Sequence, residues 1–464
     1  MIKTLSIILG VLLFVSGCSF VPPYGSPQAP IPAEWPKGEA YKENSGVSDA
    51  GKIRWQDFFT DENIRQVIET ALQNNRDLRI SALNAEMARA LYGIQRSELY
   101  PSVSGAGTMS KQRTPADLSS SGQARTEEKY SVSLGIAYWE IDFFGRIRSL
   151  KDKALEQYLA TEEARRSAQI LLVSSVANAY LALAADREVL NLAKSTLASQ
   201  QNAYRLIKRR CEVGIAPEID LHRVQTQVDT AKRDVFFYTH QTAADENALN
   251  LLLGAPVPAF PAKGLSGISQ PGEISAGISS EVLLLRPDIM AAEHRLKGAN
   301  AQIGAARAAL FPRIALTTSI GTASSDLSGL FGSGSGTWAF VPQIAAPIFD
   351  ARLWSAYDAA KVEREIALAQ YEKAIQTAFR EVADALSVSG TIDGQIAAQQ
   401  SMVQALSETY RIATALYDKG MDSYLGVLDA QQSLFRAQQA LVMLRLSKLA
   451  NHVRLYAVLG GGGE

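Results

Sequence analysis

Apolar residues recur at seven-residue spacing along two long stretches of this chain. In the first they are Val176, Leu183, Leu190, Leu197 and Tyr204. In the second they are Val382, Ile396, Val403, Tyr410 and Tyr417, with Ser389 in the remaining slot. Two shorter stretches repeat the spacing, through Leu221, Val228, Val235 and Leu249, and through Val427, Leu434, Leu441 and Leu455. A seam of this period is the spacing of coiled-coil packing. Gly214 and Gly420 close the two long runs, and a short Gly turn between such helices makes an antiparallel hairpin. The pattern predicts long helices over about 146–212 and 351–419, with return helices over about 217–253 and 423–459. The first would be about 100 Å long at 1.5 Å per residue. That length suits a bridge between distant places better than a globular core.

A second pattern has period two. From Ser131 to Tyr138, Val, Leu, Ile and Tyr alternate with Ser, Ser, Gly and Ala. Ile314 to Gly321 alternates similarly, and Trp338 and Phe340 mark a further strand. Four strands are predicted, over about 101–112, 127–138, 312–322 and 336–347. The Ser-, Gly- and Thr-rich links Lys111 to Glu128 and Thr322 to Gly336, including Gly332 to Gly336, read as exposed loops. Apolar residues on one face and small or polar ones on the other suit either a lipid-facing barrel strand or a half-buried strand of a soluble sheet. In lipid a sheet must have no open edge, and four strands cannot close alone. Two chains give eight strands with a filled interior, whereas three give twelve and leave a channel. A pore therefore favours a homotrimer.

The chain is also built twice. Asp142 to Ser149 echoes Ile348 to Ser355, Gly214 echoes Gly420, and Leu253-Gly254 echoes Leu459-Gly460, all about 206 residues apart. The repeats are read as 59–254 and 280–464, with a linker over 255–279 and a Gly-rich terminal tail at Gly460 to Gly463. Before them, Lys3 and the apolar run Leu5 to Val15 read as a signal peptide over 1–17. It ends in Val15-Ser16-Gly17-Cys18, the bacterial lipobox pattern, so Cys18 is expected to carry a covalent lipid. The Pro-rich segment 18–58 reads as an extended tether from lipid anchor to body. The uncharged stretch Ser167 to Ala185 continues a helical pattern beyond both ends and reads as packed helix rather than a membrane span.

Composition narrows the function. Net charge is −1 with acids and bases interspersed, so nothing points to nucleic acid. Only Cys211 accompanies Cys18, which leaves burial rather than disulfides to hold the fold. His222, His240, His294 and His452 form no close-set metal motif, there is no phosphate loop, and no acid, base and nucleophile constellation stands out. Neither an enzyme nor a resident metal or other cofactor is expected.

The stretches Asp142 to Arg146 (DFFGR), Leu285 to Ile289 (LRPDI), Ala301 to Pro312, Tyr424 to Phe435 and Leu455 to Gly462 carry a resemblance. Together they resemble the TolC-like outer-membrane factors, in the lipoprotein branch associated with resistance–nodulation–division pumps. The resemblance implies a mostly α fold with membrane β: a trimer with a shared twelve-stranded barrel on a long periplasmic helical tunnel. It also implies a periplasmic adaptor and an inner-membrane pump as partners, with export powered by the pump. It places the closed gate at the hairpin tips, with Leu425 as an apolar ring, Asp429 as an acidic ring and Tyr417 as a latch. Gln432 stands where the family often has Arg, so Arg223, which matches Asp429 in the first repeat, is the expected counter-charge between adjacent hairpins. Asp422 or Ser423 can cap the returning helix. Gly214, Pro217, Gly420, Asp422 and Ser423 mark the tips expected to meet the adaptor. Two other readings stay open: a TolC-like duct for type I protein secretion, and a helical scaffold lipoprotein without a pore.

Overall fold

The computed structural model describes residues 19–41, 53–258, 264–272, 274 and 279–462. The signal peptide and Cys18 lie outside them. The helices are α1 (Trp55–Phe58), α2 (Glu62–Asn74), α3 (Arg76–Ser97), α4 (Arg146–Glu212), α5 (Glu218–Leu253), α6 (Pro287–Ala308), α7 (Ala351–Asp418) and α8 (Tyr424–Val458). The strands are β1 (Ser104–Thr114), β2 (Arg125–Ile141), β3 (Arg313–Ser324) and β4 (Gly336–Ala345). The chain divides into two compact units, the first comprising 1–28, 84–161 and 291–371, the second 29–83, 162–290 and 372–464.

The first unit holds an antiparallel sheet in the order β1-β2-β3-β4, with β1 and β4 at its two edges. Its register sorts the side chains by face, because directly paired residues point the same way. Leu134 opposes Ile320, and Ile320 opposes Trp338. Ser133 opposes Gly321, which opposes Thr337. The apolar face is open: Trp338 is 80% exposed, and Leu134, Ile320, Phe340 and Ile344 are exposed as well. A Cβ on Gly135 would lie 2.1 Å from the Thr318 carbonyl oxygen, and one on Gly321 would lie 2.1 Å from that of Val132. Only glycine permits this close approach of β2 and β3.

The first hairpin of the sheet is longer than its side chains suggest. Lys111 pairs with Glu128 and Thr114 with Arg125, so the link expected from Lys111 to Glu128 shrinks to Pro115–Ala124. A charged run inside a strand breaks the apolar alternation, and the Lys111–Glu128 ion pair at 2.5 Å spans the register there.

The conspicuous DFFGR stretch is a strand-to-helix junction. Asp142 accepts from the backbone N–H groups of Ile147 and Arg148, capping the start of α4. Gly145 takes φ +76° at the turn. Arg146 returns to Glu140 through two bonds of 2.8 Å. Asp350 and Arg352 repeat a reduced version before α7.

The Pro-rich N-terminal segment is extended over its described part, yet it is docked rather than free. In the first unit Phe20 stacks on Phe144 and Phe311, and Asn300 donates to the Pro22 carbonyl. In the second unit Trp35 stacks on Phe379 at 5.1 Å, and Ser280 donates to Pro32. The tether also ends earlier than residue 58, because Trp55 and Phe58 of α1 are buried in the body.

The core of the second unit gathers Phe58, Ile64, Val67 and Ile68 with Val173, Val176, Leu181, Leu183, Leu249, Leu253, Val453 and Tyr456. The uncharged stretch of α4 is thus enclosed by protein over much of its surface. Asp61 caps α2 by accepting from Asn63 and Ile64. Part of the 255–279 linker joins this core through Leu265 and Ile268. The Gly-rich end is likewise packed and is no loose tail as far as Gly462. Gly461 is buried beside Tyr456, where a Cβ would meet the ring at 2.2 Å. Arg286 of the LRPDI stretch, its side chain 11% exposed, holds Asp288, Glu381 and the Val458 carbonyl together.

Candidate functional site

The two hairpin tips have the same backbone. In α4, Gly214 N–H donates to Cys211 and Ile215 N–H to Arg210. In α7, Gly420 N–H donates to Tyr417 and Met421 N–H to Leu416. Each pair closes a helix end through a left-handed glycine, with φ of +75° at Gly214 and +71° at Gly420. Pro217 and Ser423 occupy the N-cap positions of α5 and α8. Neither supplies a side-chain cap. The Ser423 hydroxyl bonds no N–H of α8, and the Asp422 carboxylate instead accepts the N–H of Ser423 at 2.6 Å. The turn bends Asp422 back on its own successor, one residue too early to cap the helix.

Near the tips, the hairpins pack on a small apolar cluster of Ile207, Val224, Tyr424, Val427 and Leu428. Burial pushes the Tyr424 phenol up. Tyr417 packs edge-on against Tyr424 with ring centres 4.9 Å apart, and the Arg210 guanidinium lies 4.9 Å from its centre. One tyrosine therefore ties α4, α7 and α8 together. Arg210 was not legible as its partner, since the two are over two hundred positions apart and no periodicity links them.

Leu425 and Asp429 stand four residues apart on α8 and share its outer face. Both are exposed, whereas Tyr424, Val427 and Leu428 point inward. Arg223, Leu425, Asp429 and Gln432 line one recess of about 220 Å³ between α5 and α8. The predicted counter-charge is thus brought beside the acid within one chain. Arg223 itself pairs with Asp220 at 3.5 Å, and among the described residues no ion pair or side-chain hydrogen bond reaches the Asp429 carboxylate. Tyr417 lies in the Tyr424–Arg210 contact, not in this recess. Such an arrangement presents an apolar side chain and an unneutralised carboxylate one helical turn apart, which can exclude, attract or repel a solute.

Sequence comparison places these elements among known channels. The sequence profile of outer membrane efflux proteins matches residues 67–255 and 278–461. A toluene efflux pump outer membrane protein of Pseudomonas putida, TtgF, is 50% identical over 469 residues, covering 99% of this chain and 97% of its own. The antibiotic efflux pump outer membrane protein ArpC of Pseudomonas putida is 46% identical over 465 residues, covering 100% of this chain and 96% of its own. The open-state outer membrane channel MtrE of Neisseria gonorrhoeae superposes with a TM-score of 0.86 at 35% identity, over 96% of this chain and 99% of that one. The duplicated helical hairpins, the apolar-faced sheet and these likenesses agree: this chain belongs to the outer membrane efflux protein family, whose members are outer-membrane channel components of efflux pumps.

Proposed function

We propose that three copies of this chain form one passive, gated exit duct, driven by an inner-membrane pump through a periplasmic adaptor. The observation that carries this reading is the four-stranded sheet with two unpaired edges and an exposed apolar face. Lipid covers such a face, and only partner strands satisfy such edges. The edge strand β1 follows α3, whose residues Ile80, Leu83, Met87, Leu91 and Ile94 form an exposed apolar stripe at helical spacing. A second copy fits that stripe.

In this reading Cys18 carries the lipid anchor and the docked segment after it runs along the body. Leu425 and Asp429 line the closed mouth, where three Asp429 carboxylates repel one another and favour cations. Tyr417 latches the hairpins through Tyr424 and Arg210, and Arg223 supplies the counter-charge. The tips at Gly214, Pro217, Gly420, Asp422 and Ser423 meet the adaptor. Relatives named for toluene and antibiotic efflux favour small organic molecules as cargo.

Single-channel conductance of the purified, lipidated protein in planar bilayers tests this. A small, mostly closed, cation-preferring conductance is expected to rise in Asp429→Ala by about 5- to 150-fold, on the order of the 1–3 kcal/mol that one charged contact contributes. Arg223→Ala is expected to change the leak. No conductance from a trimeric sample would favour the scaffold reading, and a pore indifferent to Asp429 would move the gate elsewhere.

A further inference from the structure

We propose that Asp186 and Asp245 share one proton across the α4–α5 hairpin, so that packing of the first hairpin depends on pH near neutrality while packing of the second does not. Asp186 lies on α4 and Asp245 on α5, each one residue before a member of the Arg187–Glu246 ion pair that joins the two helices, and their carboxyls face each other. Two ionised carboxylates in contact repel, whereas one proton between them makes a short, strong O–H···O⁻ bond.

The surroundings leave that proton no substitute. Asp245 Oδ1 accepts from the Gln241 amide at 3.4 Å, while Oδ2 is buried and receives no bond from an amide, hydroxyl or cationic donor among the described residues. The nearby cations are engaged elsewhere. Arg187 of α4 pairs with Glu246 of α5 at 2.6 Å, and Arg445 of α8 faces Glu188 at 3.9 Å. The Tyr238 hydroxyl of α5 accepts from Gln439 of α8. What α2 presents to this core is apolar: Ile64, Val67, Ile68 and Ala71. Leu183, Ala185, Val189 and Leu249 beside the pair are at most 1% exposed, and Asp186 and Asp245 themselves are half-buried. Burial, then the contact with Asp245, pushes the Asp186 carboxyl up to about 7.

The duplication supplies an internal control. The 206-residue offset carries Asp186 to Ile392 and Asp245 to Asn451. Asn451 donates to the Ala385 carbonyl at 2.9 Å and to the Ser389 hydroxyl at 2.8 Å. At the position of Asp245 the second hairpin therefore has neutral hydrogen bonds, beside the Asp393–Lys448 ion pair.

The sign follows from the raised carboxyl. Its ordinary value is 3.8 and its folded value about 7, so the proton stabilises the fold fully below the ordinary value. That stabilisation is lost as pH rises through about 7.

Hydrogen exchange of the full-length protein, corrected for intrinsic rates, reads this directly. Protection of α4 around 178–194 and α5 around 238–252 should fall about tenfold between about pH 6 and about pH 8. Protection of the matching parts of α7 and α8 should not change. Asp186→Asn should abolish the dependence. Infrared spectroscopy of the wild type gives a second reading that needs no variant. A protonated-carboxyl band should bleach with a midpoint near pH 7, and it should be missing in Asp186→Asn and Asp245→Asn. Equal pH dependence in both hairpins, or no such band above about pH 6, would overturn the proposal.

Discussion

The first hairpin, α4–α5, and the second, α7–α8, turn on the same hydrogen bonds around Gly214 and Gly420 and bury matched apolar residues, Leu249 and Leu455 among them. Their polar residues have parted. Arg223 faces Asp429 across the 206-residue offset, Asp245 faces Asn451, and Arg187 faces Asp393. The frame depends on shape and period, which many apolar residues satisfy, so duplication keeps it. Charge is read only by immediate neighbours, so each copy was free to take its own. The second hairpin presents an unneutralised acid at its tip. The first has Arg223 at that position and pairs it locally with Asp220.

The likeness of the two hairpins ends if their frames do not carry equal load. Leu249→Ala and Leu455→Ala each remove a buried side chain, and each should cost about 2–5 kcal/mol in denaturant unfolding. A cost confined to one of them would mean that only one hairpin carries the core. Gly214→Ala and Gly420→Ala place a Cβ in the left-handed region, with a smaller expected cost of about 1–2 kcal/mol each, seen as a matched drop in melting temperature. Unequal drops would sharpen the picture by showing that one turn can relax. The ion pairs should matter least. Arg187→Ala breaks the contact with Glu246, and Lys448→Ala breaks that with Asp393. Each is expected to cost about 0.2–1 kcal/mol and to lose its effect in high salt.

The periodic elements could be read from the chain because their cause is local. A seam such as Val176, Leu183 and Leu190 and a terminal Gly420 specify helix and turn without knowledge of any partner. Even so, the seam named only part of the buried face. Ala193 and Gln200 are at most 3% exposed, yet neither is apolar enough to mark a stripe. The polar strand ends Arg113–Thr114 and Arg125–Thr126 were hidden for a related reason, since their pairing is set by register rather than by their own character. Contacts between residues far apart in sequence were not legible at all. Arg210 meets Tyr417, and Asp186 meets Asp245, through the way the helices pack. The DFFGR stretch was conspicuous without its reason, which is a carboxylate seated on the first N–H groups of α4.

The sheet's two free edges also have a kinetic meaning. In the proposed trimer the barrel is complete only when strands of the other copies arrive, so it forms in a step at least second order in chain, whatever the speed of helix formation. The core of the second unit is built from contacts within one chain, whereas the proposed barrel waits for an encounter. Its yield therefore depends on how many unfinished copies are present together, and a chain made faster than its copies can meet carries a bare apolar face with two open strands, the form most prone to aggregate.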